Sequence, residues 1–235
     1  MNQALRRLFG PRRLVASPPR VSRSRGAAPV TFRRHESGRS PRRACWSCGS
    51  PAPSFLCPSC RAVQPPDAAA SYFQIMDCEQ SFALDTQKLQ RTYMQLQRSL
   101  HPDNFSQRTL KEQEFSADQS ALVNTAYRTL LKPLSRGLYM LQLRGEHLAE
   151  GTDSTAEPGF LLEVMAINET LAETRSRREM ESIGHSVGER MKALTEHINT
   201  ALNKGDLQTS KTLLAQMKYF ANIEEKIKEK MIECL

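Results

Sequence analysis

The chain has 235 residues, 39% of them hydrophobic and 25% charged, a globular balance that excludes collagen-like and wholly disordered classes. Its longest apolar runs, such as Phe160 to Leu162, fall far short of the roughly 18 residues a spanning helix needs, which excludes transmembrane segments. The net charge of +8 is unevenly placed: residues 1–43 hold 12 of the 33 basic residues and, in Glu36, one of the 25 acidic ones, so the body is mildly acidic.

Residues 1–43 are rich in Arg, contain several serines and have no Lys. This is the composition of a mitochondrial transit peptide, and no apolar stretch of the kind a secretory signal needs is present. Pro11, Pro18 and Pro19 confine any helix to the opening Ala4-to-Phe9 turn. A solvated basic arm touching RNA or anionic lipid is the alternative. The segment predicts a protein of the mitochondrial matrix, with a cytoplasmic pool left open.

Residues 44–63 hold Cys45-Trp-Ser-Cys48 and Cys57-Pro-Ser-Cys60, two CxxC pairs separated by eight residues. Each pair presents two thiolates from one tight turn, and two such turns supply the four soft ligands of a tetrahedral structural zinc. The prediction is one zinc per chain on Cys45, Cys48, Cys57 and Cys60, against a disulfide or redox alternative that requires other surroundings. Trp46, Phe55 and Leu56 are too few to form a core, so the metal is expected to supply most of the folding energy of this module. Cys78 reads as a small buried hydrophobe and Cys234 as a frayed terminal residue.

Residues 64–70, with Pro65-Pro66-Asp67 and three alanines, read as a linker. Leu89, Tyr93, Leu96 and Leu100 then form an amphipathic helical stripe capped by Asp85 or Thr86 and stopped by Pro102. A second helix is predicted from about Gln107 to Leu131, with Phe115, Leu122, Ala126 and Leu130 inward and Pro133 at its end. Between them lies His101-Pro102-Asp103. With no Gly-flanked nucleophile in the chain and too few ligands for a metal, this tripeptide suits neither hydrolysis nor coordination. It suits a rigid tip of a helical hairpin offered to a partner protein.

From Phe160 the chain predicts three more helices, joined by short turns into an antiparallel bundle. Their stripes are Phe160, Val164, Ile167 and Leu171; Met180 to Leu202 in steps of three and four; and Leu213, Met217, Phe220, Ile227 and Met231. Lys204-Gly205-Asp206 makes the second turn, and Gly184 and Gly188 weaken the middle helix. Leu161, Leu162 and Met165 lie off the first stripe and predict a partner site, or else a wider core face packed on the preceding helices.

The stretch from Tyr72-Phe73 through Leu89 to Asp103, then Asn124 to Leu130 and Pro133 to Leu141, resembles a J domain. With the tetracysteine module before it and the helical domain after it, residues 45–235 resemble the HscB co-chaperones of iron–sulfur cluster assembly. The resemblance implies an all-α protein divided as presequence (1–43), zinc module (44–63), linker (64–70), J domain (71–143), connection (144–157) and scaffold-binding three-helix domain (158–235). It implies that His101, Pro102 and Asp103, with Lys88, Arg91 and Arg98, engage a mitochondrial DnaK-type chaperone and stimulate its ATPase. It implies that Leu161, Leu162, Met165, Glu169 and Tyr219 hold the iron–sulfur scaffold protein. Met94 and Gln95 stand where J domains are commonly basic, Asn104 where Lys commonly follows the tripeptide, and Ala166 where many members are acidic. The expectation is a co-chaperone rather than an enzyme, with no nucleic-acid or membrane partner and with a homodimer left open. The rival reading, a mitochondrial zinc-ribbon RNA-binding protein, meets an acidic body, a single Trp and no interleaved basic and aromatic residues.

Overall fold

The structure is a computed structural model that describes residues 43–148 and 158–233. The presequence before Arg43, residues 149–157 of the connection and Cys234 lie outside the described residues. The described part is helical, with two isolated antiparallel bridges, Ala44 to Pro51 and Leu56 to Val63, in place of strands. In chain order the helices are α1 (Tyr72–Ile75), α2 (Thr86–Leu100), α3 (Leu110–Leu131), α4 (Pro133–Gln142), α5 (Pro158–Glu173), α6 (Arg177–Lys204) and α7 (Leu207–Glu233).

Local chemistry sets most of these boundaries. Asp85 caps α2 by accepting the N–H groups of Gln87 and Lys88, each at 2.9 Å, and these bonds hold its carboxyl below the usual range. Thr109 caps α3, which therefore begins at Leu110 rather than near Gln107. Gly205, at φ +75°, closes α6 in the left-handed region that favours glycine, and the Asp206 carboxylate accepts the Thr209 N–H at 3.0 Å to start the next helix. α5, α6 and α7 form the expected antiparallel bundle.

α2 and α3 make the hairpin, but the inward line of α3 is not the apolar stripe that periodicity predicts. Its buried residues are Glu112, Ser116, Gln119, Ser120, Val123, Ala126 and Leu130, while Phe115 and Leu122 are only half-buried. The polar members are paired across the seam. Ser120 Oγ donates to Gln97 Oε1 at 2.9 Å, Gln97 Nε2 donates to Asn124 Oδ1 at 2.9 Å, and Tyr93 OH donates to the same oxygen at 2.8 Å. Phe115 turns instead toward the cysteine module, where its ring meets Trp46 edge-on at 5.8 Å and Lys111 sits 4.3 Å over the indole.

Residues 64–70 are therefore not a free linker. Val63 is fully buried in the main core, Gln64 is buried, and Gln119 Nε2 donates to the Gln64 carbonyl at 3.0 Å. Arg43, counted with the basic tail, belongs structurally to the first knuckle: its carbonyl accepts the Ala52 N–H at 2.7 Å and its guanidinium pairs with Asp67.

The helices before the connection also touch the bundle directly, through α4, rather than only through the chain after it. α4 packs on α7, with Gly137 pressed against Leu214 and Lys211 Nζ paired with Glu146 at 2.5 Å. This contact explains why Leu214 is fully buried in α7, beside the half-buried Leu213 that periodicity predicts. A helix that covers two surfaces buries a wider arc than one stripe. At the corner between α3 and α4, the buried Arg136 guanidinium donates to the carbonyls of Leu130, Leu131 and Phe82.

Candidate functional site

The hairpin tip is held from below and free above. α2 ends at Leu100, whose carbonyl accepts Ser116 Oγ at 2.7 Å. A single 3₁₀ turn, Pro102–Phe105, follows, with proline at its first position and Phe105 buried. Asn104 Nδ2 donates to the Arg98 carbonyl at 2.8 Å, closing the end of α2. That bond gives a local reason for Asn at this position. His101 and Asp103 project outward with side chains 55% and 90% exposed, and the imidazole Nδ1 accepts the Asp103 N–H at 3.3 Å. The tip thus offers a carboxylate and an imidazole in fixed relation.

Lys88, Arg91 and Arg98 are all exposed on α2, and at 100° per residue Arg91 and Arg98 lie opposite the Leu89, Leu96 and Leu100 face while Lys88 lies at its flank. Met94 lies among them, 55% exposed, and Leu110 at the start of α3 is 84% exposed. Sequence reading missed the apolar character of this surface, although an unburied Met beside a basic stripe is a signal.

The four module cysteines converge. Their sulfurs all lie within 4.8 Å of one another, with Cys45 to Cys60 at 3.7 Å and Cys48 to Cys57 at 3.6 Å. A Zn–S bond of about 2.3 Å in a tetrahedron sets S···S near 3.8 Å, so the donor set fits zinc. The two knuckles repeat at a 12-residue offset: Gly49 N–H donates to the Cys45 carbonyl and Arg61 N–H to the Cys57 carbonyl, both at 2.9 Å. Gly49 and Arg61 also share a positive φ, +73° and +60°. Burial opposes ionisation of Cys45, but the N–H groups of Cys48 and Ser47 and the Gln64 amide outweigh it and bring the thiol down to about 6. Around Cys60 the Ala62 N–H favours the thiolate, yet burial and the three neighbouring sulfurs push it up to about 11. Such a group ionises fully only when a cation shares the site. Cys78 stands apart, half-buried, with its thiol pushed up by burial.

On α5 the predicted face is assembled in part. Leu162 and Met165 are 66% and 56% exposed and Glu169 is exposed, on the side away from Phe160, Val164 and Leu171, while Leu161 is half-buried at the flank and packs against the core. Among the described residues, the exposed pair is not part of the packing on the core. Tyr219 of α7, half-buried, meets Phe160 edge-on at 5.6 Å and so lies on the core side of α5 rather than beside Leu162 and Met165.

A family model described as the HSCB C-terminal oligomerisation domain matches residues 156–228. The chain is 49% identical over 193 residues to a human protein named iron–sulfur cluster co-chaperone protein HscB, covering 80% of this chain and 82% of that one. It is 32% identical to an Arabidopsis thaliana homologue of the same name, covering 80% and 74% respectively. The crystal structure of human co-chaperone protein HscB superposes with a TM-score of 0.75 over 81% of this chain and all of that one.

Proposed function

Because the chain belongs to the HscB family of iron–sulfur cluster co-chaperones, we propose that it couples a cluster scaffold protein to a mitochondrial DnaK-type chaperone and performs no chemistry of its own. In this reading His101, Pro102 and Asp103 trigger ATP hydrolysis in the partner. Lys88, Arg91 and Arg98 meet an acidic surface there and steer the encounter. The exposed face made by Leu162, Met165 and Glu169, with Leu161 at its flank and Tyr219 on the α7 side, carries the scaffold protein, whose cluster is cargo rather than a resident cofactor. The Arg-rich segment before Arg43 directs import, and the four-cysteine site holds one structural zinc.

The observation that supports this most is the tip: an exposed imidazole and carboxylate on a turn whose underside is fixed by Asn104, Phe105 and Ser116. Those anchors fix the turn from below, and the contacts given for the His101 and Asp103 side chains stay within the exposed tripeptide itself. Single-turnover ATPase measurements on the partner chaperone test it. His101→Gln and Asp103→Asn are expected to lose stimulation with unchanged helicity and melting temperature. Retained stimulation, or a loss of helix in either variant, overturns the assignment.

A further inference from the structure

Gln64 is buried, and its side chain reaches back from the end of the second knuckle to a ligand of the first. Its Nε2 donates to the Ala62 carbonyl at 2.8 Å and to Cys45 Sγ at 3.3 Å. Both neighbours are acceptors, so the amide has one orientation: turned over, it would set its oxygen against a carbonyl and a sulfur at once. The Gln64 backbone is held as firmly. Its N–H donates to the Phe55 carbonyl at 2.8 Å, and its carbonyl accepts Gln119 Nε2 of α3 at 3.0 Å. One residue earlier, the Val63 carbonyl accepts the Trp46 indole N–H at 2.7 Å.

The 12-residue repeat marks this donor as an addition to the knuckle rather than a part of it. Ala52 N–H donates to the Arg43 carbonyl at 2.7 Å as Gln64 N–H does to that of Phe55, so Ala52 holds the equivalent place in the first knuckle. A methyl group stands there, where the second knuckle carries an amide. Cys45 is a buried ligand, unlike the exposed Cys48 and Cys60. A thiolate closed to water relies on N–H groups of the protein to spread its charge, and Cys45 receives the Gln64 amide as well as the Ser47 N–H at 3.4 Å.

We propose that Gln64 is a positioning residue of the four-cysteine metal site, its amide fixing the Cys45 sulfur and dispersing its negative charge when a metal is held. This rests on the reading of the four cysteines as a zinc site. Groups that hydrogen-bond a metal's ligands set both their orientation and the affinity of the site. Gln64 joins that task to the docking of the module, because the residue that donates to Cys45 is also the one that Gln119 ties to α3.

The full chain loaded with NMR-active cadmium tests the bond without a variant. A scalar coupling between the metal and the side-chain amide hydrogens of Gln64 is expected, carried through the N–H···S contact. Gln64→Met, similar in length but without the donor, is expected to bind zinc about 10–100-fold more weakly in competition with a chromophoric chelator. In the cobalt(II) form its sulfur-to-metal charge-transfer band is expected to move to longer wavelength, because an unbonded thiolate gives up charge more readily. Gln119→Met loosens the same segment without removing the donor to sulfur, and its band is expected to stay in place. No coupling in the loaded wild type, wild-type zinc affinity in Gln64→Met, or an equal band shift in Gln119→Met each overturns the proposal. A wild-type chain that takes up no metal strikes the zinc reading itself, whereas a loaded chain without the coupling strikes only the role of Gln64.

Discussion

Two glycines in helices allow the contact between α4 and α7 to be weighed against an internal control. At Gly188, in α6, an added Cβ meets nothing within 4 Å. Gly188→Ala therefore keeps the intrinsic helix advantage of alanine and should stabilise the protein by about 0.5–1 kcal/mol. At Gly137, in α4, the same methyl would lie 2.4 Å from Leu214 Cδ2, 3.2 Å from its Cδ1 and 3.3 Å from Phe82 Cε2. Leu214 and Phe82 are fully buried, so neither can swing into solvent. Overpacking of that kind costs about 1–3 kcal/mol, which exceeds the propensity gain of about 1 kcal/mol. Gly137→Ala should consequently be less stable than wild type by up to about 2 kcal/mol and separated from Gly188→Ala by about 1–3 kcal/mol. Urea unfolding of the zinc-loaded chain, followed by circular dichroism, measures both midpoints and slopes. If Gly137→Ala were as stable as Gly188→Ala, with the same slope, α4 and α7 would not be closely packed and the direct contact between hairpin and bundle would be refuted.

Removing zinc by chelation, or by Cys45→Ser with Cys57→Ser, should abolish bound metal in elemental analysis. It should also lower the melting temperature of the helical body while leaving it helical, because Val63 and Gln64 are built into the contact with α3; an unchanged melt would contradict that docking. Leu162→Ala with Met165→Ala should change stability by less than about 0.5 kcal/mol, given the exposure of both side chains, yet weaken calorimetric binding of the scaffold protein at least tenfold. An unchanged dissociation constant would move the interface elsewhere. The Lys211 ammonium donates to Glu146 and holds its carboxyl below the ordinary value near 4.5. The stability this pair contributes is present above that value and is lost as pH falls through the lowered one. In an acid titration of stability, Glu146→Gln should therefore be less steep than wild type below about pH 4.5, and coincident curves would leave the pair without effect.

The tip, the cysteine spacing and the caps were legible because each is written in adjacent residues. Asp85 and Gly205 act within four residues of their targets, and a CxxC turn carries both its ligands. What could not be read lies where two surfaces meet. Ser116, Gln119 and Ser120 look solvent-facing in sequence because their partners, the Leu100 carbonyl, the Gln64 carbonyl and Gln97, come from other segments. Phe115 and Leu122 look like core for the same reason inverted: they are apolar because a cysteine module and its bordering cavity lie against them, not because α2 does. In α7, Leu214 escaped the stripe because one period describes one face, and this helix is covered by α4 as well as by α6.

The seat of Gly137 on Leu214 bears on how a co-chaperone of this design would hand over its cargo. Two binding modules on a flexible tether present one ligand to the other at an effective concentration set by tether length, millimolar for a short one and falling steeply as it grows. Here the two modules are not joined by the chain alone, because α4 packs closely on α7 and the turn after α4 adds the Glu146–Lys211 pair. The span from the α2 tip to the α5 face is then a property of the packed interior. A scaffold protein held on α5 would meet the chaperone in few orientations, and avidity would depend on whether that fixed geometry suits both partners at once. Lengthening the chain between Leu148 and Pro158, beyond the Glu146–Lys211 pair, should accordingly alter delivery far less than opening the α4–α7 seam.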